Sequence, residues 1–153
     1  MKGIYLAIIA LILVLPLMGQ HCGSCQVAEN SSSPAKTSAA PQKQLTANKA
    51  VWISNDYYVK YSWQKKPKIG TDLLFVEVYG KDKKKVKDLS ITADAYMPSM
   101  RGAHDTGDKP MKLNKNMKYV IDVNFMMAGE WGIDLKFAKN GKVFATALVK
   151  AKI

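Results

Sequence analysis

The sequence predicts an all-β domain, an antiparallel sandwich of about seven strands. Apolar and polar residues alternate along several runs, which is the pattern of strands with one covered face and one face in water. An Asn-Gly pair separates two of these runs, as expected of a hairpin. No window shows the helical period of about 3.6 residues. Together these observations favour two packed antiparallel sheets.

Each predicted strand follows from the same alternation. In the third run, for example, Leu74, Val76 and Val78 share one face. The Asn140-Gly141 pair suits a type I′ turn because both central positions of that turn need a positive φ. The predicted strands cover residues 51–54, 57–63, 74–79, 89–97, 117–125 and 131–138, and a seventh follows the Asn140-Gly141 turn.

Residues 1–25 are predicted to be a signal peptide or a membrane anchor. Lys2 precedes an uninterrupted apolar run at residues 4–18, which is the composition of a signal-peptide core. The run is shorter than the ~20 residues that a membrane-crossing helix needs, and Pro16 is typical of the region before a cleavage site. Cleavage, lipidation of Cys22 or Cys25, and retention as an anchor all stay open. We therefore expect a periplasmic or other extracytoplasmic protein, tethered to the cytoplasmic membrane or secreted.

Residues 26–48 are predicted to be a flexible linker, because Ser, Ala, Gln, Lys and Pro dominate them and little apolar surface is present to be buried. Cys22 and Cys25 precede this segment as a C-x-x-C pair. No strand–helix frame surrounds them, so we interpret them as part of a processing region or as an exposed disulfide. The folded domain is expected at residues 49–153, and it contains no cysteine.

The predicted domain is strongly basic. From Leu45 onward it has 20 Lys/Arg and 11 Asp/Glu residues, a net charge near +9. Basic surfaces attract the phosphate groups of lipids and nucleic acids. Nucleic acid is not an expected partner, because the chain has an export signal and the lysine cluster at residues 81–87 contains no aromatic residue for base stacking. The lysines fit a solvated surface with guarded edge strands, or a surface that docks on a headgroup or an acidic partner.

No catalytic constellation is evident, so we do not expect an enzyme. The chain lacks the G-x-S-x-G and H-E-x-x-H motifs and a phosphate-binding glycine loop. His104 is the single histidine of the predicted domain, which excludes a centre built from several histidines of one chain. Asp105 and Asp108 lie in an ordinary loop next to glycines.

Residues 96–111 have the composition of a metal-binding loop. The segment follows a predicted strand and contains Met97, Met100, His104 and Met111. Thioether sulfur and imidazole nitrogen suit Cu(I), and a thioether needs no deprotonation before it binds. We expect Pro98 to hold the spacer between Met97 and Met100 extended, so that both sulfur atoms reach one side of the loop.

The predicted metal ligands are therefore Met97, Met100, His104 and Met111, with Cu(I) as the expected ion. Met126 or Met127, at the tip of the next hairpin, are alternatives for closing the site. Met97 also continues the inward-facing series of its strand, so a place in the core is the competing interpretation for this residue.

Two segments of the sequence resemble the YtkA-like/FixH family. The first is the M-P-x-M segment from Met97 to Met100, and the second is the M-x-G-x-W segment from Met127 to Trp131. They occur in the family's order, and the resemblance covers roughly residues 51–153. Arg101, Gly102 and Ala103 stand where related sequences often have more methionine and histidine.

The resemblance implies an immunoglobulin-like β-sandwich that is exported or anchored in a membrane. It also implies an accessory protein that handles Cu(I) for respiratory oxidase assembly or metal homeostasis, with a membrane oxidase or a copper-transport protein as its partner. The alternative is a non-metal envelope module that docks an acidic or membrane partner through its basic surface. Under either function, Gly129 is expected to permit a tight turn or bulge, and Trp131 to anchor the core.

Overall fold

The computed structural model describes residues 42–153 of the chain. The predicted signal or anchor segment, residues 26–41 of the predicted linker, and both cysteines lie outside the described residues. Within residues 42–153, no helix is long and apolar enough to span a membrane. The strands are β1 (Lys43–Gln44), β2 (Val51–Trp52), β3 (Tyr57–Trp63), β4 (Gly70–Gly80), β5 (Ser90–Tyr96), β6 (Lys109–Pro110), β7 (Lys112–Leu113), β8 (Tyr119–Phe125), β9 (Glu130–Lys139) and β10 (Lys142–Lys152), and a 3₁₀ helix covers Pro98–Met100.

The strands form two five-stranded sheets. The first sheet has the order β1-β10-β9-β5-β6, and the second has the order β2-β3-β4-β8-β7. Paired strands run antiparallel, except that β1 lies parallel to β10. The predicted all-β sandwich of two packed sheets is confirmed.

The core lies between the sheets, and each of the six long strands, β3, β4, β5, β8, β9 and β10, supplies it with buried residues. Leu74, Val76 and Val78 of β4 are buried, as the alternation predicts. Phe125 of the second sheet packs edge-on against Trp131 of the first, with ring centroids 5.3 Å apart. Burying a large apolar side chain contributes about 1.5–3 kcal/mol to folding. The residues that alternate in the sequence are therefore the ones that hold the two sheets together.

Three short strands, β1, β6 and β7, are not predicted by the alternation. β1 lies inside the predicted linker, where Lys43 pairs with Ala147 and Gln44 with Leu148. The next residue, Leu45, is buried in the core. Ordered structure therefore begins before residue 49. A two-residue strand is too short to show any period, so sequence patterning has no means of detecting it.

The hairpin at Asn140-Gly141 forms as predicted. Both residues have positive φ values, 51° for Asn140 and 77° for Gly141, which are the backbone angles of a type I′ turn. The turn joins β9 to β10, with Lys139 opposite Lys142.

Candidate functional site

The two segments that carry the family resemblance lie against each other in the fold. Met97 follows β5 and is buried, whereas Gly129 lies in the turn between β8 and β9. A Cβ atom on Gly129 would stand 2.7 Å from the Cε atom of Met97, so the methionine methyl group occupies the space that a side chain would need. The Trp131 indole N–H donates to the Met127 carbonyl oxygen at 3.1 Å and ties the same turn to the core. Two motifs that are distant in sequence therefore form one contact.

Three further methionines lie close in sequence to the two residues of this contact, and we call the region that they form with Met97 the methionine end. It comprises Met97, Met100, Met126 and Met127. Met100 is three residues from Met97, and Met126 and Met127 are within three residues of Gly129. The chain therefore keeps the Cα atom of each within about 11 Å of Met97 or Gly129. Met97 is buried and Met127 is half-buried, whereas Met100 is 38% and Met126 is 53% exposed. The methionine end thus has both buried and exposed methionine residues.

The prediction that Pro98 holds the spacer between Met97 and Met100 extended is wrong. Residues Pro98–Met100 form a 3₁₀ helix, in which the Met100 N–H donates to the Met97 carbonyl oxygen at 3.0 Å. The fixed φ of proline suits the first turn of a helix as well as an extended chain. Met97 directly precedes this helix in an extended conformation and Met100 is its last residue, so the turn keeps both methionines at the same end of the sandwich.

Met111 lies far from the other predicted ligands. Its N–H donates to the Ile91 carbonyl oxygen at 2.8 Å, near the beginning of β5, whereas Met97 follows the end of that strand. The extended chain from Ile91 to Met97 covers about 20 Å. Met111 is also buried in the core. Metal–ligand bonds are only about 2–2.5 Å long, so Met111 is too far from Met97 to bind the same ion. The structure places Met97 and Met100 together but does not bring Met111 to them.

Arg101 fixes the beginning of the loop on the outer face of the first sheet. Its guanidinium lies over the Tyr96 ring, with Cζ 3.5 Å from the ring centroid. It also pairs with one oxygen each of Asp94 at 3.5 Å, Asp105 at 3.3 Å and Asp134 at 3.6 Å. A planar guanidinium can stack on a ring and bind carboxylates at its edge at the same time. Arg101 therefore anchors the beginning of the loop to the sheet.

Burial and charge raise two pKa values around Arg101. Burial raises the pKa of the Asp94 carboxyl, while Arg101 opposes the rise and the Asp105 carboxylate adds to it. Burial also raises the pKa of Tyr96, and the Asp134 carboxylate, which accepts the tyrosine hydroxyl at 3.1 Å, raises it further. Because the positive charge of Arg101 lies among these carboxylates, it lowers the free-energy cost of keeping them ionised.

Thr106 closes the other side of the loop. Its N–H donates to the Ala95 carbonyl oxygen at 2.9 Å, and its hydroxyl oxygen accepts the Ala95 N–H at 2.9 Å. Met100 directly precedes Arg101, and the half-buried His104 lies between Arg101 and Thr106. Among the described residues, no group of three or more His, Cys, Asp or Glu side chains is placed to hold a metal ion.

Sequence reasoning missed Tyr96 and the carboxylates that hold Arg101. A signal was present in Gly132, since a glycine inside a strand often marks a close approach. A Cβ atom on Gly132 would stand 2.8 Å from the Tyr96 ring. The space above this glycine is a groove of about 340 Å³ whose lining includes Tyr96, Pro98, Leu148 and Lys150.

Gly129→Ala is expected to lower the free energy of unfolding by about 1–3 kcal/mol, because it imposes a strained backbone. Gly129 has a φ of 145°, which residues with a side chain rarely adopt. The methyl group of Met97 lies at the end of a flexible side chain and can move away from the new Cβ atom. Urea unfolding measures the loss, and a shift of the Met97 methyl resonance reports the displacement.

Gly102→Ala is the matched control for this prediction. Gly102 also has a positive φ, 89°, but no atom lies within 4 Å of the position of its Cβ atom. Its substitution should strain the backbone without moving the Met97 methyl group. A Gly129→Ala protein with unchanged stability and an unchanged Met97 resonance would contradict the observed contact.

Comparison with known proteins identifies the family. The YtkA-like family model matches residues 53–136, more than half of the chain, and this range includes the M-P-x-M and M-x-G-x-W segments that meet in the fold. No curated protein and no solved structure matches the chain. The protein belongs to the YtkA-like family.

Proposed function

We propose that the protein is an exported accessory binding protein that carries Cu(I) as cargo at the methionine end of its sandwich. The contact between Met97 and Gly129 carries this proposal, because it brings two methionine-bearing segments together. Family membership supports an accessory role outside the cytoplasm. The apolar run at residues 4–18 supports export. The receiving partner in this proposal is a membrane oxidase or a copper-transport protein.

The proposed ligands are methionine sulfur atoms, with one imidazole. A thioether is a soft donor that suits Cu(I) and takes up no proton, so its affinity does not depend on its own ionisation. In this proposal Met126 and Met127 replace Met111 as ligands. Met97 and Met100 contribute from the other segment, and His104 contributes from the loop tip.

The exposure of Met100 and Met126 supports a role in transfer rather than permanent storage. Met100 and Met126 are partly open to solvent, so an incoming ligand of a partner protein can reach an ion bound there. Arg101 holds the loop against the sheet, which places the loop ligands before the ion arrives.

A Cu(I) titration against a competing chromophoric chelator tests the proposal. Full-length protein with Cys22→Ser and Cys25→Ser serves as the reference, because thiolates at these positions would bind Cu(I) themselves. The variant that adds Met100→Leu and His104→Ala is expected to bind at least ~10-fold more weakly, a loss of about 1.4 kcal/mol. Met126→Leu is expected to weaken binding as well, because it removes a thioether from the second segment.

Met117→Leu and Met111→Leu are the controls for this titration. Met117 is 44% exposed, similar to Met100, but the length of β8 separates it from Met126. Met111→Leu preserves the volume of a core side chain. Neither change should alter the affinity for Cu(I). Equal affinities in the reference and in all variants would contradict the proposal, and a loss in Met111→Leu without a loss in Met126→Leu would contradict the revised ligand set.

A further inference from the structure

A second surface, on the outer face of the second sheet, combines exposed aromatic and basic residues. We call it the Trp52 patch, and it consists of Trp52, Tyr58, Lys60, Lys81 and Lys83, which line a cavity of about 260 Å³ together with one alanine. Trp52 is 47% exposed. Within residues 42–153, the lining of this cavity includes no carboxylate. Three lysine and two aromatic side chains therefore line one open space.

The aromatic rings of the patch are held in a row by cross-strand pairing. Trp52 lies opposite Tyr58, and Tyr58 lies opposite Tyr79. The ring centroids are 5.1 Å apart in the first pair and 5.0 Å apart in the second. Because β2 is an edge strand, Trp52 is the last ring of the row. An amphipathic ring at such an edge suits the interface between a bilayer and water.

Two lysines of the patch carry charges that the fold does not neutralise. Lys81 pairs with Asp56 at 2.8 Å, whereas Lys60 and Lys83 form no ion pair with any residue of the described part of the chain. Lys83 has a φ of 60°, a left-handed conformation that is uncommon for a residue with a side chain. The angle belongs to a closed turn, in which the Lys83 N–H donates to the Gly80 carbonyl oxygen at 3.0 Å and the Gly80 N–H donates to the Lys84 carbonyl oxygen at 3.0 Å.

The chain enters the fold beside this patch. The Lys43 ammonium donates to the Trp52 carbonyl oxygen at 2.8 Å, so the first described residues lie next to Trp52. Residues 19–41 separate them from the apolar run at residues 4–18, and a chain of that length reaches at most about 80 Å. A bilayer that holds the apolar run is therefore within reach of the patch.

We propose that the Trp52 patch docks the domain on the anionic lipid headgroups of the membrane that holds its N-terminal segment. The lysines bind headgroup phosphates, and each lysine near an anionic surface strengthens binding by about fivefold. Trp52 inserts its ring among the headgroups. The inference rests on the export that is part of the proposed function, but not on copper binding, so either can fail alone.

Docking through this patch also sets the orientation of the methionine end. Gly80, at one end of β4, lies beside the patch, and Gly70, at the other end, pairs with Phe125 next to Met126. The 11 residues of β4 cover about 33 Å. The methionine end is then about 33 Å from the docked patch, where the lipid contact does not cover it and the extracytoplasmic part of a membrane partner can reach it.

Quenching of tryptophan fluorescence by spin-labelled lipids tests the proposal with full-length protein in vesicles. The vesicles contain phosphatidylcholine with or without phosphatidylglycerol, and a fraction of the lipid carries a nitroxide on its headgroup. The difference between the native protein and Trp52→Phe gives the signal of Trp52. We expect strong quenching of Trp52 in the anionic vesicles and little in the neutral ones. Salt at about 1 M should remove it, because the Debye length then falls to about 3 Å.

Two double variants with the same loss of charge decide the outcome. Lys60→Gln with Lys83→Gly is expected to lower the ratio of docked to undocked domain by about 30-fold. Glycine accepts the backbone angle of position 83, so the thermal unfolding midpoint should not fall. Lys150→Gln with Lys152→Gln removes two charges opposite Gly132 and Glu130, at the other end of the sandwich, and should leave quenching unchanged. Equal quenching in neutral and anionic vesicles, or equal effects of the two double variants, would overturn the proposal.

Discussion

Replacement of Trp131 by alanine is expected to lower the free energy of unfolding by about 3–5 kcal/mol. The indole is 1% exposed and packs edge-on against Phe125, with ring centroids 5.3 Å apart. Its N–H also donates to the Met127 carbonyl oxygen at 3.1 Å. Alanine would leave a cavity between the sheets and remove the donor for that carbonyl oxygen. Urea unfolding measures the loss, which is a large fraction of the stability of a single domain.

Two further substitutions separate packing from hydrogen bonding. Trp131→Phe retains an aromatic ring in the core but lacks the N–H, so it should lower the free energy of unfolding by about 0.5–1.5 kcal/mol through the lost hydrogen bond. Trp52→Ala removes an indole that is 47% exposed, and it should change stability by less than about 1 kcal/mol. Equal stabilities of the Trp131→Ala and Trp52→Ala proteins would be incompatible with the core described here.

Acidification is expected to destabilise the domain through Glu77. Burial raises the pKa of this carboxyl, but hydrogen bonds from Tyr79, Lys118 and Lys85 outweigh it and lower the pKa to about 2 from 4.5. The depressed pKa in the folded state contributes stability that is present above the unfolded pKa of 4.5 and is lost as the pH falls through about 2. At about 1.4 kcal/mol for each pKa unit, the full loss is about 3 kcal/mol.

Glu77→Gln is the variant that isolates this effect. It should lower the free energy of unfolding at neutral pH by about 2–3 kcal/mol and flatten the dependence of stability on pH between about 5 and 2. Asp82→Asn is the control, because Asp82 is 59% exposed in its ion pair with Lys84 and should contribute little. Urea unfolding at several pH values measures both variants. An unchanged pH dependence in Glu77→Gln would rule out this role of the carboxylate.

The same hydrogen bond acts on Tyr79 at high pH. Its hydroxyl donates to Glu77 at 2.6 Å, and this bond, together with burial, raises the pKa of the tyrosine to about 12 from 10.0. A raised pKa contributes stability that is present below the unfolded pKa of 10.0 and is lost as the pH rises through about 12. The two residues therefore make the outer face of β4 sensitive to both extremes of pH.

The strand pattern was predictable because burial imposes a period of two on every long strand. Leu74, Val76 and Val78 are buried as their alternation indicates. The same alternation does not predict the strand at Lys43–Gln44, because these two polar residues at a sheet edge bury no apolar side chain of their own. The turn at Asn140-Gly141 was predictable for a different reason, since the backbone angles there favour few residue types.

The candidate site was less predictable, because the residue types of a loop do not determine the path of its backbone in the fold. The sequence places Met111 after a turn that returns toward the preceding strand, but only the structure shows that it returns near Ile91. Arg101 directly follows the M-P-x-M segment in the sequence, but its position on the Tyr96 ring depends on three carboxylates from separate segments. Contacts of this kind join residues that no local period relates.

Nuclear magnetic resonance of methionine methyl groups, labelled with carbon-13, tests most directly that the methionine end binds Cu(I). The sample is full-length protein with Cys22→Ser and Cys25→Ser, and single Met→Leu variants assign the resonances. One equivalent of Cu(I) is added without oxygen. Each methyl group reports on its own sulfur atom, so the spectrum shows which thioethers bind.

The expected result is a shift of the methyl resonances of the methionine end, with Met111 and Met117 unchanged. Met111 lies beside Ile91, and Met117 precedes β8 at the end opposite Met126, so neither sulfur is near the proposed site. Shifts of Met111 or Met117 as large as those of Met100 and Met126, or no shift of any methionine methyl group, would contradict the account.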